Sequence, residues 1–127
     1  MKKTPRAVVD EMFAAFEAGD IDGVVATVSD DTLWIYHGTQ VIPPNEFRNK
    51  ERVRKFFTSI LRGTDVLKFE REQYIEQDNV VVVLGNEHQR VKKSGKELKQ
   101  KWVQIYTVEN ELITHMEEFA TSEVVKP

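Results

Sequence analysis

The chain has 127 residues, of which 40 % are apolar and 31 % charged, and a formal net charge of −3. A single domain of that size can bury about two-thirds of the surface its unfolded chain exposes. Cysteine is absent, which excludes disulfides, thiolate nucleophiles, iron–sulfur clusters and cysteine-type zinc sites. The mild acidity argues against a general polyanion binder, so no nucleic-acid partner is expected. The longest apolar run, Val80–Leu84, is far too short for a membrane helix, so no membrane partner is expected either. No signal-type apolar stretch follows Met1–Pro5, and a soluble, cytoplasmic protein is the expectation.

In chain order, Thr4 can cap a helix with Pro5 at its first position, where a missing N–H costs nothing. Val9, Met12, Phe13 and Phe16 then follow helical spacing, and Gly19 ends the element. Asp20 can cap a short second helix carrying Ile21, Val24, Val25 and Val28. A turn at Asp30–Asp31 leads into a β-rich strand, Thr32–His37. Residues Gly38 to Phe47, with Pro43 and Pro44, read as a loop. Asn49 caps a third helix, with Val53, Phe56, Phe57, Ile60 and Leu61 as its apolar stripe and Gly63 at its end.

From Thr64 onward the pattern predicts antiparallel strands over about 66–77, 80–92, 96–108 and 111–121. Asp78–Asn79, Ser94–Gly95 and Glu109–Asn110 supply the turns. Strands this long must twist and often carry bulges. Helices on one face of a curved sheet form an α+β layer, and volume the helices leave unfilled becomes a pocket.

The run Phe13 to Gly23, with Ser29–Asp31 and the Trp34 strand, resembles the SnoaL-like and ketosteroid isomerase-like families of the nuclear transport factor two-like superfamily. Tyr36–Gly38, Ile42–Pro43, Val53–Phe57, the Ser94–Lys96 turn and Trp102 extend the likeness over nearly the whole chain. The resemblance implies one domain over 1–127. Its fold would be a cone-shaped, curved mixed or antiparallel sheet wrapped around three N-terminal helices, a cystatin-like α+β barrel. It also implies a homodimer packed through the outer sheet face. The isomerase's oxyanion tyrosine falls on Met12, its general base on Tyr36 and its carboxylic acid on Gln104. The SnoaL-type aspartate falls near Ala120. None of these positions keeps the family's residue, so steroid isomerisation by the usual groups is not expected.

Side chains two apart on a strand share a face. If Gln104 points inward, so do Trp102 and Tyr106, and the same rule selects Glu87, Gln89 and Val91, then Trp34 and Tyr36. On the last strand it groups Ile113, His115, Glu117 and Phe119, which the family alignment places inside. A bulge there would instead turn Glu118 inward. His115 and Glu117 are thus the candidate acid–base pair, with Tyr36 as a hydrogen-bond donor to substrate. Met12, Phe16, Trp34, Phe57, Glu87, Gln89, Trp102, Gln104 and Phe119 are the candidate ligand-binding wall. Such a mixture suits a small hydrophobic organic ligand, isomerised, cyclised or dehydrated by side chains alone, so no cofactor is expected; the alternative is a non-catalytic ligand-binding or protein-interaction module. His37, His88 and His115 lack metal-ligand spacing, and no metal is expected. The Lys-rich hairpin from Arg90 to Lys101 reads as a solvated tip.

Overall fold

The computed structural model describes residues 2–125. Of the expected domain 1–127, Met1, Lys126 and Pro127 lie outside the described residues. The elements are α1 (Pro5–Glu17), α2 (Ile21–Val25), β1 (Val28–Tyr36), β2 (Asn45–Arg48), α3 (Lys50–Gly63), β3 (Thr64–Gln77), β4 (Val80–Val91), β5 (Glu97–Glu109) and β6 (Leu112–Val125). The six strands lie in the order β2-β1-β6-β5-β4-β3, in a mixed sheet that is not closed. The chain thus has the α+β cone expected, with β1 and β6 as its parallel pair and the other neighbours antiparallel.

Each helix starts at the predicted cap. Thr4 accepts from Ala7 N–H, Asp20 from Gly23 N–H and Asn49 from Arg52 N–H. Each bond satisfies a donor that the first helical turn leaves free. The apolar stripe of α1 is buried at Val9, Met12, Phe13 and Phe16, while α3 fully buries only Val53 and Phe57. The remainder of the α3 stripe, Phe56, Ile60 and Leu61, is partly buried against the core, and Phe56 and Ile60 also border open space.

Two elements depart from the sequence reading. Asp30 and Asp31 make no turn, because β1 begins at Val28 and runs through them with both side chains in solvent. The expected loop also contains β2, whose four residues pair with the end of β1. Gly38, at φ +84°, makes the reversal between them. A Cβ there would collide with the backbone of Ile42 to Pro44, so the tight turn requires glycine.

The core lies between α1 and the inner sheet face. Trp34, Val81, Val83, Trp102, Tyr106, Ile113 and Met116 are all at most 2 % exposed. Trp102 is held flat against β4 because residue 85 is glycine, and Phe13 and Phe69 cover its other side. Thr32 ties β1 to β6: its hydroxyl donates to the Ile113 carbonyl (2.9 Å) and accepts from the Trp34 indole N–H (3.1 Å).

Candidate functional site

The helices do not fill the sheet's concave side. A cavity of about 450 Å³ remains between α1, α3 and the inner faces of β4, β5 and β6, and it opens beneath the loop after β1. That volume lies within the range of small-molecule sites, roughly 300–1,000 Å³. Thr39 shapes the mouth: its hydroxyl accepts from the Val41 and Ile42 N–H groups. Gln40 then accepts from Ser122 N–H (2.9 Å), which fixes the loop to β6.

The wall is mainly aromatic. Phe16 packs edge-on to Phe57 and Phe69, and Trp34 packs edge-on to Phe57. Nearer the mouth, Tyr36, Phe47 and Phe56 form a second cluster with ring centres 4.4–5.8 Å apart. Such offset and edge-to-face pairs are the favoured arrangements of aromatic rings.

Polar groups enter from three adjacent strands. Tyr106 donates its hydroxyl to the Gln104 amide oxygen (2.5 Å), and Gln104 donates its amide N–H to the Glu118 carboxylate (2.8 Å). This chain follows from register, because Gln104 lies opposite Glu118 and Tyr106 two residues along the same face. Burial pushes the Glu118 carboxyl upward, and the Gln104 hydrogen bond opposes that rise. On β4, Glu87 is pushed up to about 7, first by burial and then by the negative charge of Glu118. Burial, with Glu118 nearby, also holds the Tyr36 and Tyr106 hydroxyls well above the usual tyrosine value. Both tyrosines are therefore neutral donors. The Glu87 carboxyl can take up or release a proton near neutrality, and burial raises the Glu118 carboxyl above its ordinary value.

Met12, Phe16, Trp34, Tyr36, Phe57, Glu87, Gln89 and Gln104 all line this cavity, as the alternation of the strands and the helix stripes implied. Trp102 does not: it points inward but is covered by Phe13 and Phe69 and belongs to the packed core.

The last strand needs correction. His115, Glu117 and Phe119 lie on the other side of the sheet from the cavity. The register of β5 with β6 steps from Thr107↔His115 to Val108↔Ile113, so Thr114 is an extra residue in β6. One extra residue reverses every side chain beyond it. Ile113 is buried in the core before the bulge, but Met116 and Glu118 face inward after it. Glu117 instead pairs with His37 (2.5 Å) outside, and Phe119, 47 % exposed, stacks on the same imidazole. His88 also lies outside, against Glu97 (2.7 Å).

The sequence reading missed Gln100, Phe69 and Phe47 in the wall. Gln100 shares the parity of Trp102 and Gln104, so that signal was present. Phe47 depends on β2, whose pairing no local pattern announced. Among the described residues no cluster of histidine, aspartate and glutamate is arranged to hold a metal ion, and no helix is long and apolar enough to cross a membrane.

Comparisons with known proteins agree with the fold. An NTF2-like protein of Burkholderia xenovorans superposes with a TM-score of 0.81 at 23 % identity, covering 94 % of this chain and 92 % of its own. A Mycobacterium tuberculosis protein, crystallised in complex with estradiol-17β-hemisuccinate, gives 0.78 at 19 %, covering 92 % and 94 %. A Catenulispora acidiphila protein with a ketosteroid isomerase-like fold, crystallised in complex with trimethylamine, gives 0.76 at 12 %, covering 92 % and 86 %. No curated protein matches the sequence. The sequence profile of the SnoaL-like domain matches residues 9–116, and with the open six-stranded cone this shows that the chain belongs to the SnoaL-like family, within the NTF2-like fold.

Proposed function

We propose that this protein binds a small, largely apolar organic molecule in the cone cavity, with Glu118 and Glu87 as its polar anchors. The observation that carries the reading is the cavity itself: about 450 Å³ walled by aromatic rings, with the Tyr106–Gln104–Glu118 chain along one side. Buried polar groups are usually consumed in structural hydrogen bonds. Here Tyr106, Gln104 and Glu118 bond to one another and also border open volume, the arrangement of a ligand site. The estradiol-derivative and trimethylamine complexes of the two structural neighbours support a small organic occupant.

The chemistry suited to these anchors is cofactor-free isomerisation, cyclisation or dehydration. Glu118, oriented by Gln104 and titrating above an ordinary carboxylate, is placed to move a proton, and Tyr36 is placed to donate to an oxygen that gains charge. His115 and Glu117 take no part, being on the outer face.

The test is titration with the neutral fluorophore N-phenyl-1-naphthylamine. Saturable one-to-one binding is expected, lost at least tenfold in Gln89→Trp, which places an indole in the cavity. Outer-face changes His115→Ala and Glu117→Gln should shift affinity less than twofold. No saturable binding, or equal binding by Gln89→Trp, refutes the reading.

We also propose a homodimer through the outer sheet face. Val82, Leu84, Val103 and Ile105 alternate with buried residues on β4 and β5 and so present an apolar strip outward. Sedimentation equilibrium should give twice the chain mass, and one chain mass at micromolar concentration refutes it.

A further inference from the structure

We infer that the molecule held in the cavity is a hydrophobic ammonium compound, whose positive charge lies against Glu118 and Glu87 within the aromatic wall. The inference rests on the cavity being a binding site and adds the charge of its occupant.

The charge balance of the wall is one-sided. Glu87 from β4 and Glu118 from β6 both reach the cavity, and among the described residues no lysine, arginine or histidine lines it. The other titratable groups facing it are Tyr36 from β1 and Tyr106 from β5, which are neutral; α1, α3, β2 and β3 contribute none. Lys68, His88, Lys99 and Lys101 line a separate groove that Glu87 also borders, and none of them lines the cavity. Arg71 lies over the outer side of the Phe13 ring and pairs with Glu17 (3.3 Å), and His37 pairs with Glu117 outside. A buried carboxylate without a counter-charge is costly, and elsewhere in proteins a cation beside it removes that cost. Here the cavity wall supplies none, so on that side the place is left to the ligand.

Two further features fit a cation. Tyr36 is the register partner of Glu118 across the β1–β6 pair, so the ring cluster Tyr36–Phe47–Phe56 stands beside that carboxylate. Aromatic faces attract ammonium groups, more strongly when desolvated. Gln100, only 6 % exposed and across the register from Glu87, has an amide nitrogen with no protein partner and borders the same space. A ligand's polar atom would complete that part of the wall.

A neutral ligand that accepts a hydrogen bond from a protonated Glu87 is the opposing reading, and pH separates the two. A cation binds the ionised carboxyls, so its affinity rises as pH climbs through about 7, whereas a neutral acceptor needs the protonated acid and weakens. The experiment displaces the neutral fluorophore with 2-naphthylmethyl-trimethylammonium, whose charge is fixed, and with its uncharged carbon isostere, 2-neopentylnaphthalene. At pH 8 the cation should bind at least tenfold more tightly than the isostere. Its affinity should fall at least fivefold by pH 5.5, and the ratio of the two affinities should drop at least tenfold in Glu118→Gln and Glu87→Gln. Equal affinities, or a cation affinity that does not rise with pH, overturn the charge assignment while leaving the cavity reading intact. If neither naphthalene compound nor the fluorophore binds, both are overturned.

Discussion

Replacing Glu87 by glutamine should make the protein more stable at alkaline pH, and by an amount the structure sets. The Glu87 carboxyl has a value of about 7 in the folded chain against 4.5 for an ordinary side chain, mainly because it is buried. Below pH 4.5 it is protonated both folded and unfolded, and its titration contributes nothing. Between 4.5 and 7 the unfolded chain gives up its proton first, so stability falls as pH rises, and above 7 the loss is constant. At 1.36 kcal/mol for each tenfold, the full rise amounts to about 3 kcal/mol. Water entering the cavity screens the group, which lowers the expectation to about 2 kcal/mol. Glutamine has the same shape and no charge to release. Glu87→Gln should therefore match the parent within about 0.5 kcal/mol at pH 4.5 and exceed it by about 2 kcal/mol at pH 8. Urea unfolding at fixed protein concentration, followed by fluorescence of the buried Trp34 and Trp102, measures both values. A difference that does not change with pH, or a variant less stable at pH 8, would refute the burial argument. Retaining a carboxyl that weakens the fold is what a functional site does.

Two other changes test the supports around the site. Gln104→Leu removes the acceptor of the Tyr106 hydroxyl and the donor to Glu118, so urea unfolding should show a loss of about 2 kcal/mol. A carbon-13 NMR titration should show Glu118 rising further, since the bond that held it down is gone; an unchanged titration would disprove the bridge. Gly85→Ala drives a methyl group into the Glu70 carbonyl and the Trp102 ring, and the backbone side of that contact cannot yield. A loss of about 3 kcal/mol is expected, the upper part of the range for overpacking, and a fully stable variant would show that Trp102 does not lie flat on residue 85.

The family's functional positions are empty of the family's groups, yet an acid still reaches the cavity. Met12, Tyr36 and Gln104 occupy the places named by the resemblance, and all three line the cavity without a carboxyl. Glu118 and Glu87 supply the acid from other strands. Gln104 donates to Glu118 and so orients that carboxyl.

The sequence by itself determined what depends on near neighbours. Caps at Thr4, Asp20 and Asn49, the helix stripes, and the turns at Asp78, Gly95 and Asn110 are local, and each appears where its residues place it. The inward faces of β4 and β5 follow from simple alternation, so Glu87, Gln89 and Gln104 were legible in the cavity wall. Tertiary structure alone decided the face of β6. Thr114 is squeezed out of the ladder where β6 must pair with β5 on one side and β1 on the other, with Thr32 bonded to the Ile113 carbonyl at that step. No local pattern marks that residue as extra, because both registers leave an apolar side chain buried. The same competition between two partner strands turned His115 and Glu117 out of the cone and brought Glu118 in.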